Sequence, residues 1–177
     1  EATDALRAAL GKTKGQQKLG VITSLGVKRN ERSVKAIAKA LKDKDADVAR
    51  AAAGALGRIG TVSSNDALAK FAESAPEALQ DAVAEGQLAG AGMLVADGKG
   101  NLAVPFYTTL LSDKREFVHL GALRGLANAD PGGAVALLSK TLSGDDAVTR
   151  DFAAQLVAEL PGADMTKPLA DAFPSLP

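Results

Sequence analysis

The chain has 177 residues, 46% hydrophobic and 24% charged, with 21 Lys/Arg against 21 Asp/Glu and a formal net charge of +0. This is the composition of a folded protein with a real core and excludes an intrinsically disordered one. The absence of cysteine excludes a disulfide framework, a thiolate metal site and a cysteine nucleophile, and no apolar run approaches the ~20 residues of a membrane span.

Aromatic content is 3% with no Trp, so the core must be aliphatic and rich in Ala, Leu and Val. That favours helices packed closely through small side chains. From the N-terminus, Leu6, Leu10, Val21 and Leu25 fall on two short apolar stripes. In SVKAIAKALKD, Val34, Ile37, Ala38 and Leu41 share one helical face, while Lys35, Lys39 and Lys42 share the other. After the turn KDKDA, Val48, Ala51, Ala52, Ala55, Leu56 and Ile59 form a second stripe. Asp47 serves as an N-cap or first-turn acid, and Gly60 as a stop.

This helix pair repeats. A shift of 31 back places Leu6, Leu10, Val21 and Leu25 under Ile37, Leu41, Ala52 and Leu56. A shift of 70 forward aligns Val104, Tyr107, Leu111, Val118, Ala122 and Leu126, and one of 101 aligns Val135, Leu138, Leu142, Ala153 and Val157. The segment between them carries the pair with a longer second helix. Five hairpins follow, near 3–28, 33–60, 65–97, 102–128 and 133–161, with a sixth from Thr166 cut short. A two-helix unit with a period near 30 predicts an all-α fold, a right-handed α-solenoid forming one domain over 1–177. Leu56, shared between neighbouring units, is expected to support two inter-repeat contacts at once. The start at Glu1 without Met and the end at FPSLP read as a section of a longer protein.

AIAKALKDKDADVARAAAGALGRIG resembles the HEAT-like repeats of the bilin-lyase type, and TLSGDDAVTRDFAAQLVAELPG resembles them well. LLSDKREFVHLGALRGLA matches in part. The resemblance implies an armadillo-like superhelix of stacked hairpins. It also implies an Arg after the Val of each second helix, tying successive turns together beside a loop Asp. The Asp residues are present as Asp43, Asp45, Asp113, Asp145 and Asp146. The Arg is present only as Arg150, with Ala49 and His119 in its place elsewhere. His119 is expected to substitute for it.

Other motifs point away from chemistry. LGKTKG at 10–15 ends like a phosphate loop but has Leu6 where Gly is required, and no strand before it. GAGMLV at 90–95 places Val95 at the third Gly of a dinucleotide fingerprint, and DGKGN at 97–101 lacks the spaced acids of a calcium loop. One histidine cannot build the His-rich metal sites of HEAT-like hydroxylases. No catalytic, cofactor or metal residue is expected. The paired aspartates are expected to cap helices.

The solvent-facing positions of the second helices are therefore the candidate partner-binding surface. By register these include Arg50, Arg58, Asp81 and Glu85. In the fourth unit they include Phe117, Leu120 and Arg124, an aromatic and an aliphatic beside an Arg, as in interface hot spots, unless Phe117 covers the third hairpin. In the fifth they include Asp151, Gln155 and Glu159. Residues 1–60 carry a balance of +7 and residues 61–177 one of −7, a gradient that would orient an extended partner or drive weak end-to-end self-association.

The expected function is a non-catalytic protein-interaction scaffold for a protein partner or an adjacent domain, with no nucleic acid and no membrane insertion. The alternatives are a HEAT-fold enzyme of bilin-lyase or DNA-glycosylase type, and a structural spacer. The sequence does not set the compartment, and an extracytoplasmic one is compatible with it.

Overall fold

The protein is described from a computed structural model over residues 2–159. Among these residues there are ten α-helices and no strand. The sixth hairpin expected from Thr166 lies outside the described residues. The chain divides between Gly98 and Lys99 into two compact units.

The first unit holds α1 (Ala2–Leu10), α2 (Gly15–Val27), α3 (Val34–Ala40), α4 (Ala46–Ile59), α5 (Val62–Ala72) and α6 (Glu77–Ala96). Each first helix packs on its own second helix, α1 on α2, α3 on α4 and α5 on α6, and the second helices pack side by side in the order α2, α4, α6. The apolar stripe dictates this layering. Val48, Ala52, Ala55, Leu56 and Ile59 of α4 are fully buried, as are Ile37 of α3 and Ile22 of α2. No single pair could cover these stripes, and stacking removes them from water at roughly 25 cal/mol per Å².

Glycines set the spacing of the second-helix layer. A Cβ on Gly57 of α4 would lie 2.7 Å from the Gly86 carbonyl of α6, and one on Gly86 would lie 2.8 Å from the Ala53 carbonyl of α4. On the other flank, a Cβ on Gly26 of α2 would lie 2.9 Å from Ala55 Cα. Backbones thus touch where side chains would normally intervene. At 20 residues, α6 is the longest helix described, and its GAGMLV stretch is helical, with Gly90 and Ala91 buried.

Caps fix the helix ends. Asp45, not Asp47, is the N-cap of α4: its carboxylate accepts a hydrogen bond from the Asp47 N–H at 3.0 Å, and Asp47 occupies the first turn. Gly60 ends the helix in the left-handed region at φ 62°. Thr61 and Ser64 form a reciprocal capping box at the start of α5.

The second unit holds α7 (Gly100–Leu110), α8 (Glu116–Ala129), α9 (Pro131–Leu142) and α10 (Ala147–Glu159). The pairs are α7 with α8 and α9 with α10, and α8 also packs on α9 and α10. Leu123, Ala127, Leu138, Ala153 and Leu156 form the joint core of α8, α9 and α10. Tyr107 of α7 is buried against Gly125 of α8, where any side chain would collide with its ring. Burial pushes the Tyr107 hydroxyl up to about 12.

Candidate interaction surface

On α4, the charged residues left outside the packed stripe are Asp47, Arg50 and Arg58, with Gly54 between the two exposed arginines. Their spacing follows from the geometry of the helix, since a residue three or four positions on returns to the same face. Arg50 donates to the Asp47 carboxylate at 2.8 Å, one turn away. Asp81 and Glu85 of α6 are exposed at the same spacing. The first unit therefore presents a strip headed by arginines on one second helix and a strip of carboxylates on the helix packed against it.

In the second unit Phe117 of α8 is 43% exposed, and the Arg115 guanidinium lies 5.8 Å from its ring centroid. Leu120 is half-buried. Arg124 turns toward α10: it lies 5.1 Å from the Phe152 ring centroid and donates to Glu159 at 2.8 Å. Asp151 and Gln155 are exposed on α10. Of the candidate residues in this unit, the fold brings Arg124 and Glu159 together as an ion pair, so the guanidinium of Arg124 is already engaged.

The turn edges carry the aspartates. Asp43 accepts from the Asp45 N–H at 3.0 Å and from Lys18 Nζ at 2.5 Å. Asp113 accepts from the backbone and the guanidinium of Arg115, at 2.9 Å and 2.6 Å. Asp146 caps α10, accepting from the Thr149 N–H at 3.1 Å and from the Thr149 hydroxyl. Each carboxyl is held below its ordinary value: Asp43 first by the Lys18 ammonium, Asp113 by the Arg115 guanidinium and Asp146 by the Thr149 hydroxyl.

The tie between successive turns differs from the one the resemblance implied. His119 Nδ1–H donates to the Leu111 carbonyl at 2.7 Å, within its own hairpin. Arg150 donates to the carbonyls of Gly144 and Asp145 at 2.9 Å and 3.0 Å, also within its own hairpin. The residue that reaches the next turn is Lys18, through Asp43. Lys18 stands 31 residues before Ala49, in the same repeat position as His119 and Arg150. The repeat shift itself carries that signal, but the weak motif of the first unit hides it.

A second tie was also not read from the sequence. Arg29, just past α2, donates at 3.4 Å to the Ile59 carbonyl at the end of α4. Its guanidinium forks onto Asp97 at the end of α6, at 3.1 Å and 2.6 Å. Its backbone sits at φ 47°, uncommon outside glycine. One side chain thus links the C-terminal ends of all three second helices, where a cation also complements the helix dipoles.

Residues 3–88 match the family model described as HEAT repeats. No curated protein matches the chain. Among solved structures, it is similar to the complex of CpcE and CpcF of phycocyanin lyase from Nostoc sp. PCC7120, at 25% identity and TM-score 0.53 over 86% of this chain. The chain spans about 62% of the length of that solved chain. An engineered protein matches at 20% identity and TM-score 0.49, over 98% of this chain and 85% of that one. No described helix is long and apolar enough to cross a membrane. Among the described residues the chain is an all-α repeat protein, and its residues 3–88 are similar to the HEAT repeats.

Proposed function

We propose that the chain is a non-catalytic scaffold that holds a protein partner, or a neighbouring domain of its own chain, against the exposed face of its second helices. The observation that carries this reading is the pair of strips on the first unit, Arg50 and Arg58 on α4 beside Asp81 and Glu85 on α6. Opposed charge on adjacent rigid helices gives a partner both orientation and register. Glycine-spaced backbones hold the two strips at fixed separation, so little order has to be acquired on binding. The CpcE chain was solved in complex with CpcF, which supports a protein as the kind of partner.

The test is affinity capture from source extract with the wild type and with Arg50→Glu/Arg58→Glu as baits. A protein retained by the wild type and lost by the variant supports the reading; equal capture by both contradicts it. Arg124 is a poor probe here, because its loss would also break the pair with Glu159.

The likeness to a phycocyanin lyase favours a second reading, a lyase-type enzyme on the same repeats. That reading requires a bilin to bind the purified chain with a change in its visible absorbance. The scaffold reading expects none.

A further inference from the structure

A further surface of the first unit lies at its turn edge, at the N-terminal end of α4. The turn between α1 and α2 and the turn between α3 and α4 sit side by side, joined by the Lys18–Asp43 ion pair. Between them is a cleft of about 580 Å³. Lys14, Lys18, Lys42 and Lys44 line it, with Asp43 and Asp45. A second depression of about 290 Å³ shares Gly11 and Lys18 with it and adds Arg7 and Lys39. The basic surface is therefore continuous across both.

Two carboxylates share this lining, Asp43 half-buried and Asp45 exposed. Asp43 accepts from Lys18 Nζ and the Asp45 N–H, and Asp45 accepts from the Asp47 N–H. The lining thus carries four ammonium groups against two carboxylates, one of which is already paired with Lys18. Lys14, Lys42 and Lys44 are exposed, and none makes an ion pair among the described residues. Several like charges within one Debye length repel one another, and an anionic ligand relieves that repulsion.

The chemistry favours carboxylates on a polypeptide over a nucleic acid. No aromatic residue occurs in residues 1–70, so bases would find no side chain to stack on. The one guanidinium of the second depression, Arg7, is paired with Asp4. What remains is a set of flexible ammonium groups, point charges that accept carboxylates in many orientations.

We propose that this cleft docks an acidic polypeptide segment, through lysines that are not part of the Arg50–Arg58 strip. The probe is a fluorescein-labelled deca-glutamate peptide, read by anisotropy, with deca-glutamine and an oligothymidylate of equal charge as comparisons. The expected result is deca-glutamate binding that weakens as salt rises from about 50 mM to about 500 mM. Lys14→Glu/Lys42→Glu/Lys44→Glu should weaken it by about tenfold or more. Arg32→Glu/Lys35→Glu, on exposed residues outside both depressions, should change it by less than about twofold. Circular dichroism checks that each variant folds; if the triple reversal does not, Lys14→Gln/Lys42→Gln/Lys44→Gln takes its place and should also weaken binding. Equal affinity for deca-glutamine, equal loss in both sets of variants, or tighter binding of the oligothymidylate would overturn the proposal. Arg50 and Arg58 are untouched throughout, so this result is independent of the capture experiment.

Discussion

Gly57 shows how one residue sets the geometry on which the functional reading depends. Its missing side chain lets α4 and α6 touch backbone to backbone, and a methyl group there would press on the Gly86 carbonyl at 2.7 Å. Gly57→Ala gains helix propensity of about 1 kcal/mol but forces two helices apart, and overpacking costs about 1–3 kcal/mol. Thermal unfolding should show net destabilisation, whereas the same change at Gly54, with nothing near its missing Cβ, should be neutral or stabilising. Tyr107 gives a second residue-level test. It is the only tyrosine, so absorbance near 295 nm reads its ionisation alone. Its folded pKa is raised to about 12 from 10.0, so its contribution to stability is complete below pH 10 and is lost as pH rises toward 12. Titration of the folded protein should show a midpoint near 12, and Tyr107→Phe should remove that part of the alkaline loss of stability. The sequence marks Tyr107 as an apolar-stripe residue, but not its partner. Gly125, which leaves room for its ring, lies on another helix, and local periodicity holds no record of such pairings.

At the scale of helices and turns, the apolar stripes of α3 and α4, the stop at Gly60 and the long second helix of the third pair are all legible in the sequence. They are local consequences of 3.6-residue periodicity and cap chemistry. The inter-turn ties are less so. Lys18 occupies the repeat position where an Arg was expected, and Arg29 sits outside the motif altogether. The aspartates these ties serve give a pH signature. Asp43, Asp113 and Asp146 are held below 3.8 in the folded chain. As acid is added the unfolded chain therefore takes up protons first. The stability these groups contribute is complete above about pH 4 and is lost as pH falls through their lower folded values. Melting temperature should decline below pH 4, and Asp43→Asn/Asp113→Asn/Asp146→Asn should flatten that decline. An unchanged slope would contradict the assignment. Leu56→Asp should be far worse than any of these, because it buries a charge at a fully enclosed position between helix pairs.

For the molecule as a whole, the division between Gly98 and Lys99 was not legible, because it is set by contacts between helices and not by the repeat pattern. The first unit has its own core, running from Leu10 through Ile22, Leu56 and Leu68 to Val83. Residues 1–98 expressed alone should therefore be helical and unfold in one cooperative transition, and a dye-binding product without such a transition would contradict this. The charge asymmetry of the chain was legible from composition. The arginines and carboxylates of the second helices were also legible, from the repeat register, whereas the lysine-lined cleft at the turn edge required the fold. The most direct test of the scaffold reading is hydrogen–deuterium exchange of the chain with and without its captured partner. The account predicts added protection in the peptides spanning 46–59 and 77–96, the helices that carry Arg50, Arg58, Asp81 and Glu85. Protection confined to the first helices α3 and α5, or none at all, would contradict it.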